Sequence, residues 1–408
     1  MELNTDLLKA LFNAWYALKN GKSSKSIRAF DLHHEHEIIQ LASEIQSQTY
    51  TPSPYRCFII HDPVCREIFA ARVRDRIIHH VLYTIINPFF ERYFITDSYA
   101  CRVGKWTHFG INRLQHHIRS CSQNYTANCF ILKLDIQWFF MAIDKHILRT
   151  IIEKQLTKNR QYRNQQAPYL TRKYGLKLIY TILFFDPTKQ FTRLWYASDR
   201  DALPSDKSLF HSPSDVWLPL WNLTSQLFAN IYLHQMDLFI KHTCKIKHYG
   251  RYMDDFYLIH NDLHYLQDCL ASIKLFLSER LHLTLHPRKI YLQHYTKWVQ
   301  FCGAVIKPYR TYVKKKTLWR FRQKINTLIP ADVATYEKLQ KVICMINSYL
   351  GICQHVDSYK IRKKIIDSLP AFLSNKIIPK NHYTKVVPRT RKLRSAELKK
   401  YKDFLRLL

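Results

Sequence analysis

The stretch KIKHYGRYMDDFYLIH, residues 245–260, limits what this chain can fold into more than any other. Two runs rich in aromatic and β-branched residues meet at a pair of acids, the pattern of a β-hairpin with Asp254 and Asp255 at its bend. Asp135 interrupts a second strand-like segment, ILKLDIQWFF. An ionised carboxylate in apolar surroundings is costly unless it is paired or binds a cation. Three carboxylates converging from two strands would make an oxygen-only site for Mg²⁺ or Mn²⁺. Solvated turn acids are the bland alternative for an isolated acid pair, and the flanking strands speak against it.

Charge points the same way. Lys and Arg number 63 against 31 Asp and Glu, a net +32 with a pI near 9.8. A surplus spread along the whole chain suits a polyanion, above all nucleic acid, and an aromatic content of 14% adds faces on which bases can stack. No apolar run reaches the ~18 residues of a membrane span, LKLIYTILFF being the nearest. The start, MELNTDLLKALFNAW, lacks a signal-peptide layout. Ten cysteines with no CxxC spacing indicate neither zinc nor a disulfide framework. The expectation is a soluble, reducing, cytoplasmic protein without a membrane partner.

The spacing of apolar residues predicts helices over residues 1–50, then arginine-rich extended segments in TPSPYRCFIIHDPVCREIFAARVRDR, then a helix through RIIHHVLYTIINPFFERYF. NCFILKLDIQWFFMAI reads as a strand running into a helix. Residues 151–215 read as an irregular insertion. TLHPRKIYLQ and QFCGAVIKP are strand-like, and the basic tail from Thr311 is helical.

The ordered set KLDIQWFF, RYMDDF, HPRK and FCG resembles the palm of a reverse transcriptase, from about residue 50 to 306. That resemblance implies an α+β right-hand polymerase: an N-terminal helical region (1–50), fingers and palm (51–306, with the insertion 151–215) and a helical basic thumb (307–408). It implies two Mg²⁺ ions, with Mn²⁺ as a substitute, on Asp135, Asp254 and Asp255. Two such ions about 4 Å apart can activate a primer 3′-hydroxyl and stabilise departing pyrophosphate. It implies dNTPs, a template RNA and a cDNA or primer end as partners. By position, Phe140 matches an aromatic gate against a ribose 2′-hydroxyl, or is simply core. Lys289 falls where a lysine could protonate pyrophosphate, or is one more solvated cation. Arg66, Arg72 and Arg74 lie where arginines would clamp a triphosphate. Asn222 and Ser225 shape the loop under the base pair, or cap a helix.

More narrowly, YRCFIIHDPVCREIFAARVRDRIIHHVL, FERYFITDSYACRVGK, KSLFHSP and NLTSQLFANIYL are similar to reverse transcriptases of diversity-generating retroelements, bacterial or phage-encoded. In most reverse transcriptases the loop before the fourth motif's helix reads Gln-Gly-x-x-x-Ser-Pro; in this group an aliphatic residue replaces Gln, and Gln replaces Pro. Leu220 and Gln226 fit that second pattern. It implies unfaithful copying at template adenines and an accessory variability protein. A leucine cannot hydrogen-bond the incoming sugar as a glutamine can, and such a loss relaxes discrimination. The rival expectations are a group II intron-like or phage-defence reverse transcriptase, a non-catalytic RNA-binding protein on a decayed polymerase fold, and, more distantly, a nuclease.

Three other motifs are set aside. NGKSS lacks the first glycine of a phosphate loop. HHEHE at 33–37 reads as a polar helix start rather than a metal site. KVVPRTRKLRSAELKK reads as a phosphate-contacting run rather than an address.

Glycine is scarce: 7 residues, where ordinary usage of ~7% would give about 29. Trp221 stands where the resembled family has the loop glycine, and Trp106, Trp138, Trp217 and Trp298 also stand at usual glycine positions. We hypothesise that these five are glycine in the living cell, read from UGA codons. Glycine there would admit positive φ and close approach of a nucleotide; an indole at 221 would obstruct it.

Overall fold

The computed structural model describes residues 3–22, 24–61, 65–158, 171–195, 203–204 and 208–389. Most of the basic run 385–400, expected to contact phosphates, and parts of the expected insertion 151–215 therefore lie outside the described residues. The chain divides into two compact units, 1–106 with 130–292, and 107–129 with 293–408. The sequence boundaries at 50 and 306 differ from this division, which follows contacts between segments distant in sequence.

In the first unit, helices α1 (Thr5–Lys19), α2 (Lys25–Asp31) and α3 (His34–Gln46) form where apolar residues recur at helical spacing. Their buried Leu7, Leu11, Trp15 and Ile38 share one core with Ile77 and Ile78 of α4 (Val73–Glu91), so the N-terminal helices are not a separate body. Strands β1 (Tyr55–Ile60) and β2 (Arg66–Ala70) pair antiparallel, and β4 (Phe191–Arg193) pairs with β1 in parallel. The remaining helices are α6 (Lys145–Lys158), α7 (Leu176–Phe184), α8 (Leu223–Leu238) and α9 (Leu263–Leu281). Leu156, Leu178, Ile179 and Leu183 are buried in the main core. The described part of 151–215 is thus not irregular throughout: it contributes two helical segments to the core.

The central sheet has the order β5-β6-β3-β7, with β5 (His248–Tyr252), β6 (Asp255–His260), β3 (Phe130–Asp135) and the edge strand β7 (Tyr291–His294), through which the chain leaves the first unit. Phe256 to Ile259 are all buried, so β6 is covered on both faces and reads as an unbroken apolar run. The expected hairpin is present, with Met253 and Asp254 as its two-residue turn.

The second unit combines α5 (Thr107–Cys121), an antiparallel sheet β10-β9-β8 (Arg310–Val313, Ala304–Lys307, Val299–Phe301) and four helices, α10 (Lys315–Asn326), α11 (Tyr336–Cys353), α12 (Tyr359–Asp367) and α13 (Ala371–Ser374). The turn joining β8 to β9 places Cys302 at φ 48 and Gly303 at φ 81, a left-handed pair that matches strand twist. The described part of the basic tail, to residue 389, is largely helical after β10, with an additional hairpin of β11 (Ile377–Lys380) and β12 (Lys385–Pro388); the rest of the expected helical tail lies outside the described residues. No helix among the described residues is long and apolar enough to cross a membrane. All described cysteines are free thiols.

Candidate active site

Pairing register brings the acids together. Asp135 ends β3 directly opposite Asp255 at the start of β6. The turn before β6 carries Asp254, whose carbonyl accepts from Ile136 N at 3.2 Å. The end of β3 is pinned on its other side, where His286 N donates to Asp135 O at 2.8 Å and Gln137 N to Thr284 O at 2.8 Å. Three aspartates therefore meet at one end of the central sheet.

Burial raises Asp254 to about 6, and the Asp135 charge adds to the rise, while Lys289 and Arg66 pull against it. Burial likewise raises Asp255 to about 6; Lys133 opposes this, and Asp135 and Asp254 reinforce it. The site is short of positive charge. Two lysines supply part of it. Lys289 Nζ donates to both oxygens of Asp135, at 2.9 and 3.0 Å, and Lys133 Nζ stands 2.6 Å from Asp255 Oδ1.

The donor chemistry, hard carboxylate oxygens carrying excess negative charge, suits Mg²⁺ or Mn²⁺. The side chains do not form a ready cage: among the described residues no three His, Cys, Asp or Glu are arranged to hold a metal ion. The same statement covers HHEHE, where α3 starts as a polar helix.

Behind the turn lies a network that sequence reasoning missed. Arg251 and Asp237 are fully buried, with Nε 2.8 Å from Oδ1 and Nη2 2.7 Å from Oδ2. Arg251 Nη1 donates to Asn230 Oδ1 and to the carbonyl of Met253, each at 3.2 Å, and Nη2 donates to Ser98 Oγ at 3.1 Å. Met253 sits at φ 56, so this contact holds a left-handed residue immediately before Asp254. Gly250 is required nearby, since a Cβ there would stand 2.2 Å from Tyr99 Oη and 2.5 Å from Tyr257 Oη. The tandem of Arg251 before the acid pair was the available signal.

The other expected residues distribute unevenly. Arg66 lies near enough for its charge to act on Asp254. Arg72 is tied to Pro54 O (3.1 Å) and Thr192 Oγ1 (2.9 Å). Arg74 is engaged by Glu44, with Glu37 3.9 Å away, and lies over the Tyr50 ring; its guanidinium serves the helical layer rather than an open site. Phe140 is half-buried against the core, and its carbonyl accepts from Leu218 N at 2.7 Å, which ties the segment after Asp135 to the one before Leu220. Leu220 and Gln226 are half-buried. Asn222 occupies the N-cap position of α8 without a side-chain capping bond, and its Nδ2 is buried with no hydrogen-bond partner. Ser225 is buried, and Thr224 Oγ1 is bonded to His79 Nδ1 at 2.7 Å, which anchors the loop to α4.

These five tryptophans separate into three kinds. Trp138 (φ 48) and Trp221 (φ 72) adopt the left-handed region with indoles 49% and 58% exposed, as a glycine site would place them. Trp106 and Trp298 are exposed at ordinary φ. Trp217 is buried, with Lys145 Nζ 3.6 Å above its ring, so its packing is that of a core indole.

No family model matches the chain, and no curated protein matches it. Among solved structures it is similar to telomerase from Candida albicans in complex with a TWJ fragment of telomeric RNA, with 12% identity and a TM-score of 0.46. The match covers 80% of this chain and 56% of that one, so the chain spans about half the length of that protein.

Proposed function

We propose that this chain is an RNA-directed DNA polymerase that extends a primer by metal-assisted nucleotidyl transfer. The observation that carries the reading is the register of Asp135 against Asp255 with Asp254 beside them, where burial first and the neighbouring carboxylates second raise Asp254 and Asp255. A divalent cation bound there would supply Lewis acidity toward the primer hydroxyl and the triphosphate. Asp135, Asp254 and Asp255 would be its ligands. Arg66 supplies charge for a triphosphate, and Lys289 holds a proton at Nζ that departing pyrophosphate can take. Phe140 would be the aromatic that excludes a 2′-hydroxyl. Asn222 Nδ2 is a buried donor without a partner, suited to a base or sugar.

Primer extension on an RNA template with Mg²⁺ tests this. Asp254→Ala should lose roughly a thousandfold or more, the several kcal/mol of charge stabilisation at about 1.4 kcal/mol per tenfold. Equal rates in the parent and the variant would refute the enzyme.

The finer reading is error-prone copying at template adenines in a diversity-generating element, with an accessory protein, and it rests on Leu220 and Gln226. Sequenced cDNA should show excess substitutions opposite adenine; a uniform error spectrum would remove this subtype and leave the polymerase. One observation favours a second reading, an RNA-binding protein that has lost catalysis: Lys289 and Lys133 already neutralise two of the three acids. In that case Mg²⁺ would not shift the thermal midpoint.

A further inference from the structure

The second unit carries a cleft of about 630 Å³ lined by α5, the loop after it and the β9–β10 turn. Asn112, Gln115, His116 and Arg119 share one face of α5, at the spacing i, i+3, i+4, i+7. The opposite face buries Ile111, Leu114 and Ile118.

The aromatic wall is built at a conformational cost. Gln123, Asn124 and Tyr125 are three successive left-handed residues, at φ 49, 59 and 72. Their turn is held by Tyr125 N donating to Ser122 Oγ (3.0 Å) and Arg119 Nε to Asn124 Oδ1 (2.8 Å). Tyr309 follows Pro308 in the β9–β10 turn at φ 63, a position that favours glycine or asparagine. Its ring is nevertheless 77% exposed, with the Tyr125 ring 4.4 Å away. Unlike the isolated indoles of Trp138 and Trp221, this ring lines a cleft beside a second aromatic, and its free face is available for stacking.

The electrostatics are one-sided. The sequence has no Asp or Glu between Asp97 and Asp135, and none between Glu279 and Asp332. These stretches contain both segments that line the cleft. The carboxylate of Asp357 accepts from Thr311 N at 2.9 Å. A concave surface with an exposed ring, amide and imidazole edges and an arginine, and with no acid among its lining residues, has the parts for an unpaired base and its phosphate.

We propose that this cleft binds a nucleotide of single-stranded RNA outside the aspartate site, with the base stacked on Tyr309 beside Tyr125. Arg119, with Nε spent on Asn124, offers its terminal nitrogens to the phosphate. Asn112 and His116 meet the base edge. The site does not depend on the polymerase reading and stands or falls separately from it.

Fluorescence anisotropy of the full chain with a labelled unstructured 12-nucleotide RNA, across a salt series, is the test. Tyr309→Gly should weaken binding roughly tenfold with little change in salt slope. The same variant should raise the thermal midpoint by relieving the left-handed strain, an outcome that a merely structural tyrosine would not give. Arg119→Gln should flatten the log–log salt slope by about 0.7, one single-strand phosphate contact. Tyr16→Ala, removing another exposed tyrosine (56% exposed), should change nothing. Parent-like RNA affinity in Tyr309→Gly would overturn the proposal. So would an equal loss of affinity for polyglutamate, which would make the cleft a site for acidic peptides.

Discussion

Neutralising Asp254 should strengthen the fold while abolishing the proposed chemistry. Burial and the Asp135 charge hold this carboxyl at about 6 against an ordinary 3.8. At about 1.4 kcal/mol per tenfold in proton affinity, the ionised form costs the folded state up to about 3 kcal/mol. Solvent on the open side reduces this to about 1–2 kcal/mol. The sign follows from a folded-state pKa raised above the unfolded one. The cost is fully present above pH 6, shrinks as the pH falls through 6, and is gone near 3.8. Asp254→Asn, measured by thermal denaturation in EDTA at pH 8, should therefore melt a few degrees higher than the parent, at roughly 2–4 °C per kcal/mol. The gap should close by pH 4. Mg²⁺ should then raise the parent's midpoint by binding the folded form, and raise the variant's far less. A variant that melts lower than the parent at pH 8 would refute this account of the aspartate cluster, whatever its activity.

Trp221→Gly and Trp138→Gly each relieve a left-handed L-residue, worth about 1–2 kcal/mol, and should hold or raise the midpoint; for Trp221→Gly, primer extension should also improve. Trp217→Gly should instead lose about 3 kcal/mol or more in urea unfolding, because it empties a buried site under Lys145. A neutral result at 217 together with UGA codons at all five positions would make that indole a product of translation on paper. Arg251→Met leaves Asp237 buried without its partner and should cost about 3–5 kcal/mol; Arg251→Lys, if folded, should lower kcat more than it changes KM, because the Met253 carbonyl loses its holder. His79 is lowered to about 3, chiefly by burial. Its folded pKa lies below the unfolded 6.5, so stability is lost as the pH falls below 6.5, and the ring should stay neutral at pH 5 by NMR.

Local chemistry was enough to read the YMDD hairpin, the N-terminal helices and the strand ending at Asp135, because each depends on residues within a few positions of one another; TLHPRKIYLQ, read as strand-like, instead has a helical turn at Pro287–Lys289 before β7. Alternation, turn residues and an acid pair in an apolar run are all visible along the chain. Trp221 was marked as out of place by composition alone, and its φ of 72 gives the backbone reason.

Contacts between distant segments decided the rest. The arginines at 66, 72 and 74 look alike in sequence; only the fold assigns Arg74 to Glu44 and puts Arg66 within electrostatic reach of Asp254. Lys133, two residues before Asp135, becomes the counter-ion of Asp255 because the antiparallel register sets Lys133 opposite Tyr257 and so makes Asp255 its diagonal neighbour on the same face. Arg251 meets Asp237 from another element, and residues 107–129 join a unit whose other half begins at 293. A sequence specifies which groups must be paired or buried, since that follows from their own solvation. Which partner each one finds is set by strand register and helix packing, and these are properties of the closed chain.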